Sequence, residues 1–222
     1  MTTVMLVHGA WHQPKAWAKL ETELHALGYA TRTPALPSAG DKPTAGVHDD
    51  AAVLARELAS VEGPVVVLGH SYAGIPVTEA AAGAGNVRRL IYLAAYMPDK
   101  GQSMYSLHGL PDPEDTSGLF PLPEDPREAL YADLPEPEAE QAVSELADQT
   151  VLSFAEKVDA AAWRDIPSTY IVTGEDKAIP VALQEQMAAQ ATEIRRISSG
   201  HSPFLSQPRR LAALIDEIVR SA

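Results

Sequence analysis

The 222-residue sequence contains no cysteine, which excludes disulfides and thiol catalysis and leaves the redox compartment open. Basic residues are scarce: 17 Lys and Arg face 30 Asp and Glu, a balance that repels phosphate backbones and anionic membranes. Neither nucleic acid nor a membrane is therefore expected as a partner. No apolar run approaches the roughly 18 residues that mark a membrane span. The start, Met1-Thr2-Thr3-Val4-Met5-Leu6-Val7, lacks a basic n-region, and its apolar stretch is too short for a signal peptide. These features predict a cytoplasmic protein. No internal repeat, phosphate-cradling loop or carboxylate cluster stands out. His8 and His12 are four apart but span a strand-loop junction rather than a helix, so neither a metal nor another cofactor is expected. The length suits one domain, residues 1–222, with a full-sized core.

What is present is an alternation of strand and helix patterns. Val4-Met5-Leu6-Val7 reads as a short buried strand. Pro14 opens a helix with Trp17, Leu20, Leu24 and Leu27 on one face, closed by Gly28. Tyr29 to Thr33 is a weak second strand, and Ala51, Leu54 and Leu58 mark a second helix. Val65-Val66-Val67-Leu68 is a strand, followed by an alanine-rich helix running to about Ala84 in which Pro76 falls near the start. Leu90 to Leu93, Thr169 to Val172 and Ile194 to Ile197 are further strands, with a helix from Val181 to Gln190 between the last two. The final helix carries Leu211, Leu214, Ile215, Ile218 and Val219 at helical spacing. The pattern predicts an α/β fold with a mostly parallel sheet of about six strands covered on both faces by helices.

The interval 96–165 breaks this rhythm. Pro111, Pro113, Pro121, Pro123, Pro126, Pro135 and Pro137 punctuate it among acidic residues. It is too long for an ordinary loop, yet Phe120, Tyr131, Phe154 and Trp163 supply more apolar surface than a solvated linker carries. Inserted between strands, it would project near the strand ends where ligands bind in open α/β sheets. A lid or cap over the site is expected there.

Gly69-His70-Ser71-Tyr72-Ala73-Gly74 follows a buried strand and opens a helix, the arrangement of a nucleophile elbow. Such a turn exposes the serine oxygen and aims the next N–H groups at a developing oxyanion. It predicts acyl transfer, with the competing reading that Ser71 only caps a helix. Strict G-x-S-x-G asks for glycine where Ala73 stands. His201, in a loop after the last strand, fits the base in the order serine, acid, histidine. His25 and His48 read as surface positions, His70 as locked in the elbow, His108 as part of the lid and His8 as a satisfied structural histidine. Asp176, directly after the strand Thr169 to Val172, fits the acid, with Asp99 as its rival. The oxyanion donors would be the N–H groups of Tyr72 and of Ala10, in the turn that Gly9 permits. Trp11, Tyr72, Tyr96, Met97 and Phe120 are candidate pocket walls.

Leu6-Val7-His8-Gly9-Ala10-Trp11-His12, Gly69-His70-Ser71, Leu93-Ala94-Ala95-Tyr96-Met97-Pro98-Asp99, Glu175-Asp176-Lys177-Ala178-Ile179-Pro180 and Gly200-His201 together resemble the landmarks of the α/β-hydrolase superfamily. Within it they are similar to the plant methylesterase and hydroxynitrile lyase family and its small bacterial relatives. The resemblance spans nearly the whole chain and implies the α/β-hydrolase fold, the triad Ser71, Asp176 and His201, and the Ala10 and Tyr72 amides as the oxyanion hole. Ala73 departs from the usual glycine, and the lid is shorter than in the plant enzymes. The implied reaction is serine carboxylesterase hydrolysis of a small or medium, largely apolar ester through an acyl-enzyme. A hydroxynitrile lyase and a non-catalytic ligand receptor are the alternatives. Lyases of that family carry threonine after the first-strand histidine and lysine after the catalytic one, where this chain has Gly9 and Ser202. Gly9 is expected to leave room for an oxyanion at the Ala10 amide.

Overall fold

The computed structural model describes residues 2–221. Along the chain lie β1 (Thr3–Val7), α1 (Ala18–Ala26), β2 (Ala30–Arg32), β3 (Ala39–Gly40), α2 (Val47–Ser60), β4 (Val65–His70), α3 (Gly74–Ala80) and β5 (Val87–Leu93). The inserted segment holds α4 (Met104–Leu107), α5 (Pro126–Tyr131), α6 (Glu136–Ser144), β6 (Asp148–Gln149) and α7 (Leu152–Ala155). The chain then completes β7 (Ser168–Thr173), α8 (Val181–Ala188), β8 (Glu193–Ile197), α9 (Pro203–Ser206) and α10 (Pro208–Arg220).

Six strands form one parallel sheet in the order β2-β1-β4-β5-β7-β8. The continuous apolar runs follow from burial on both faces. Met5, Val7, Val65, Val67, Leu90, Tyr92, Tyr170 and Val172 face one core, shared with Leu54 and Leu58 of α2. Their alternating neighbours Val4, Leu6, Val66, Leu68, Ile91, Leu93 and Ile171 face the other, shared with Leu20 and Leu24 of α1 and Leu211, Ile215 and Ile218 of α10. Successive side chains of each strand thus feed opposite layers. The order reverses between β1 and β4, and a crevice opens where strands on either side of such a switch diverge. The loops after β1 and β4 meet there.

Several expected boundaries shift. The Pro14 element begins as a 3-10 turn, Pro14–Trp17, before α1, and Leu27 is 42% exposed because the helix has already ended at Ala26. The elbow helix stops at Ala80 rather than near Ala84; beyond it Asn86 Nδ2 donates to the Leu58 and Val61 carbonyls at the end of α2, which draws the chain away from the helical path. α8 ends at Ala188 rather than Gln190. An antiparallel pairing of β3 with β6 ties the inserted segment to the loop before α2. Two-residue strands carry too little pattern to be read in a sequence.

Gly74 sits where α3 meets the exit of β5: a Cβ there would lie 1.9 Å from the Tyr96 carbonyl oxygen. Ala73, fully buried, already accommodates its methyl. The helix contact that demands glycine therefore falls at 74, not 73, which explains the departure from the strict motif. Gly74→Ala is expected to destabilise the fold by about 3 kcal/mol or more, and Ala73→Gly by about 1 kcal/mol. Urea denaturation of the two variants checks the ranking, and the reverse order would contradict this contact.

Candidate active site

Ser71 stands at the turn from β4 into a 3-10 turn, Ser71–Ala73, and adopts φ +55°. A left-handed conformation at a non-glycine residue is strained and persists where surrounding contacts enforce it. Here the Ser71 carbonyl accepts the Tyr96 N–H at 3.1 Å, and Gly69 lies against the Ala73 backbone, where an added Cβ would be at 3.2 Å. The loop after β1 presses on the same turn. A Cβ on Gly9 would lie 2.9 Å from His70 Nδ1 and 3.0 Å from Ser71 Cβ. The space beside Gly9 is thus filled by the elbow, correcting the expectation that it is room left for an oxyanion.

His201, in the loop before α9, points Nδ1 at Asp176 Oδ2 at 2.7 Å, with both side chains buried. The Asp176 carboxylate also accepts from Thr173 Oγ1 (2.8 Å), Gln184 Nε2 (2.9 Å), Ala178 N–H (2.7 Å) and Ile179 N–H (2.9 Å). Burial pushes its pKa up, but the neighbouring His201 and these donors outweigh that effect and hold it below the usual carboxylate value. Asp99 is elsewhere, ion-paired with Arg164, so the geometry separates the two carboxylates. Nδ1–H of His201 being committed to Asp176, Nε2 is the nitrogen left to accept a proton. Ser71 and His201 line the same cavity. No hydrogen bond joins Ser71 Oγ to Nε2 among the described residues; a serine hydroxyl and a bare imidazole nitrogen facing one space can come into contact as a substrate is seated.

His70 links the elbow to the His201 loop, since its Nε2–H donates to the His201 carbonyl at 2.9 Å. The inserted segment braces that loop from outside: Asp133 accepts Gly200 N–H (2.9 Å) and Ser206 Oγ–H (2.8 Å).

The Gly9–Ala10 peptide is fixed by its carbonyl. Gly9 O accepts His8 Nδ1–H at 3.0 Å and His12 N–H at 3.3 Å, while His8 Nε2 accepts Leu36 N–H at 3.2 Å and so sets the tautomer. His12 Nδ1–H holds the Ala10 carbonyl at 2.8 Å and its Nε2 accepts Tyr131 O–H at 2.9 Å. In a trans peptide the N–H opposes its carbonyl, so the Ala10 N–H is directed away from these bonds, and Ala10 lines the cavity. Tyr72 N–H lies in the first turn of a helix, where no intrahelical acceptor exists. Two such amides are what an oxyanion needs.

The cavity measures about 360 Å³. The candidate residues Trp11, Tyr96 and Phe120 line it, together with Met104, Leu130, Phe154 and Ile179, which sequence reasoning did not assign to a pocket. Phe154 sits 4.2 Å from Phe120, centroid to centroid; aromatic residues within the proline-rich interval were the signal available. Met97 and Tyr72 are corrections. Both are fully buried in the core beneath and do not line the cavity: β5 ends at Leu93 and the chain beyond it turns Tyr96 outward and Met97 inward, while the Tyr72 ring points down to Asp50. Trp11 takes φ +61° and is stapled to the inserted segment, its Nε1–H on the Phe120 carbonyl (3.2 Å) and its carbonyl on Ala147 N–H (2.7 Å). Tyr96 Oη meets His108 Nε2 at 2.9 Å. Among the described residues, the group able to converge on a metal ion is His48, Glu79 and Asp159, none of which lines this cavity.

The chain matches the alpha/beta hydrolase family over residues 4–214. It is 32% identical to an alpha/beta hydrolase of Aspergillus novofumigatus over 96% of this chain and 94% of that one. It is 28% identical to a pyrethroid hydrolase of Sphingobium wenxiniae, over 97% and 86%. The crystal structure of a methylesterase from Arabidopsis superposes with TM-score 0.84 and 25% identity, covering 100% of both chains.

Burial keeps His8, His12 and His70 neutral. It pushes the His8 pKa down to about 4 and that of His12 down to about 3, each partly offset by its bond to a backbone carbonyl. His70 is also held well below its usual value, by burial and then by His201 and His12 beside it. Unfolded histidines titrate near about 6.5, so as pH falls the unfolded chain takes up these protons first and protonation favours unfolding. Buried Asp50, raised to about 6, opposes this by taking its proton first in the folded state. Stability is expected to be whole above about pH 7.5 and to fall toward pH 4 with a net slope approaching two protons, about 1.4 kcal/mol per pH unit for each. Urea midpoints across this range test it, and a flat or rising profile would contradict it.

Proposed function

Because the chain belongs to the alpha/beta hydrolase family, we propose that it is a serine carboxylesterase acting on a small or medium, largely apolar ester. The observation that carries the reading is the 2.7 Å bond from His201 Nδ1–H to Asp176, made beside a strained serine in the same aromatic-lined cavity. Ser71 Oγ attacks the ester carbonyl carbon as its proton passes to His201 Nε2. The resulting imidazolium is stabilised by Asp176, and the Ala10 and Tyr72 N–H groups receive the oxyanion. Collapse expels the alcohol, which takes the proton from Nε2. Water, deprotonated by the same nitrogen, then attacks the acyl carbon and releases the acid and Ser71.

Segment 96–165 acts as the cap, since Tyr96, Phe120 and Phe154 supply the walls that exclude water and sort substrates by shape. The pyrethroid hydrolase and the methylesterase among its relatives support ester chemistry. Cyanohydrin cleavage is disfavoured on geometry: Gly9 has no space for a larger side chain, and Ser202 Oγ is buried without a partner among the described residues and brings no cation to the histidine.

Steady-state kinetics on p-nitrophenyl butyrate test the reading. Ser71→Ala and His201→Ala are expected to lower kcat by roughly 10³ to 10⁶ and Asp176→Asn by on the order of 10⁴, with Asp99→Asn near wild type. The reverse ranking of the two aspartates would move the acid. Cleavage of mandelonitrile with no ester turnover would overturn the esterase reading.

A further inference from the structure

Asp50, on α2, is fully buried, and the proposed reaction does not use it. No cation pairs with it among the described residues. Its carboxylate instead accepts three hydrogen bonds: Ser38 N–H at 2.9 Å, Ser38 Oγ–H at 2.5 Å and Tyr72 O–H at 2.6 Å. Ser38 Oγ, its own proton given to Asp50, accepts from Gln149 Nε2 at 2.9 Å, and the same amide nitrogen donates to Ser153 Oγ at 2.7 Å. Gln149 Oε1 then accepts the Trp11 N–H at 3.3 Å. A continuous hydrogen-bonded chain therefore runs Tyr72, Asp50, Ser38, Gln149, Trp11, buried up to its half-buried Trp11 end.

Its two ends coincide with the two halves of the oxyanion hole. Tyr72 carries one donor on its own backbone, and Trp11 directly follows Ala10, which carries the other. Burying a carboxylate without a cation is costly, and packing alone would be served by an apolar side chain. Hydrogen-bond chains in a low-dielectric interior strengthen one another and fix a single arrangement. We infer that Asp50 and Gln149 are positioning residues: through Tyr72 and Trp11 they keep the two amides converged on the point where the oxyanion forms. Gln149 belongs to β6 of the inserted segment, so correct seating of the cap is built into the hole.

The inference rests on the esterase reading, and its test separates the two. Tyr72→Phe deletes one hydroxyl and keeps the backbone amide; Gln149→Met and Asp50→Asn break the chain further along with little change of shape. For each, kcat and KM are measured on p-nitrophenyl butyrate, together with the inhibition constants of an aryl trifluoromethyl ketone, which forms a hemiketal oxyanion on a reactive serine, and of the matching secondary alcohol, which cannot. Complete loss of one donor costs roughly 10²–10³ in kcat, and misaligning donors that remain is expected to cost about tenfold. KM and alcohol binding should stay near wild type, and ketone affinity should fall in step with kcat. Variants with lowered melting temperature but unchanged kcat and ketone affinity would overturn the inference and leave a purely structural network. Should Asp50→Asn fail to fold, Tyr72→Phe carries the test alone. If the wild-type protein gives no hemiketal signal by fluorine NMR and binds the ketone no better than the alcohol, the esterase reading itself falls.

Discussion

The close packing of Gly9 against His70 and Ser71 constrains every other part of the site. It exists because the sheet order reverses between β1 and β4, so the loops leaving those strands meet over one crevice. A side chain at position 9 would push them apart. With the contact in place, the serine is held in its left-handed turn, the Ala10 amide lies beside it, and His70 reaches the His201 carbonyl. Ser71, the Ala10 amide and His201 are thereby referenced to one another through backbone, which does not relax as flexible side chains would.

Around that contact the protein has placed buried, neutral histidines whose ring nitrogens hold peptide groups. His8 and His12 fix the carbonyls of Gly9 and Ala10. Low pKa values follow from their burial and suit the task, because a protonated ring would lose the acceptor that fixes each tautomer at Leu36 N–H or Tyr131 O–H. The inserted segment takes part as well. Tyr131, Asp133, Phe120 and Ala147 all bond the site's loops, so the inserted segment is tied to the loops beside it.

Much of this was legible in the sequence, for identifiable reasons. The sheet could be read because strands buried on both faces are continuous apolar runs, and the helices because Trp17, Leu20 and Leu24 or Leu54 and Leu58 repeat at helical spacing. Ser71, Asp176 and His201 could be singled out as candidates because each sits just past a strand, where local pattern is strong. What the sequence left open required distances. Asp99 also follows a strand, and only the Arg164 pairing separates it from Asp176. Met97 and Tyr72 differ from Tyr96 and Trp11 only in which way the chain turns beyond its strand or elbow. Which glycine bears the tight contact, 74 rather than 73, depends on the approach of the Tyr96 carbonyl. The network through Asp50, Ser38 and Gln149 joins residues more than a hundred positions apart, and polar residues scattered so widely carry no periodic signal.

The central claim is that Ser71 forms a covalent bond with the acyl group. Intact-mass spectrometry after treatment with an alkyl fluorophosphonate, followed by peptide mapping, tests it most directly. The account predicts one adduct per chain, on Ser71, appearing at the rate at which esterase activity disappears and absent from the His201→Ala protein on the same timescale. Activity lost through labelling at another residue, or activity retained with Ser71 fully modified, would contradict it.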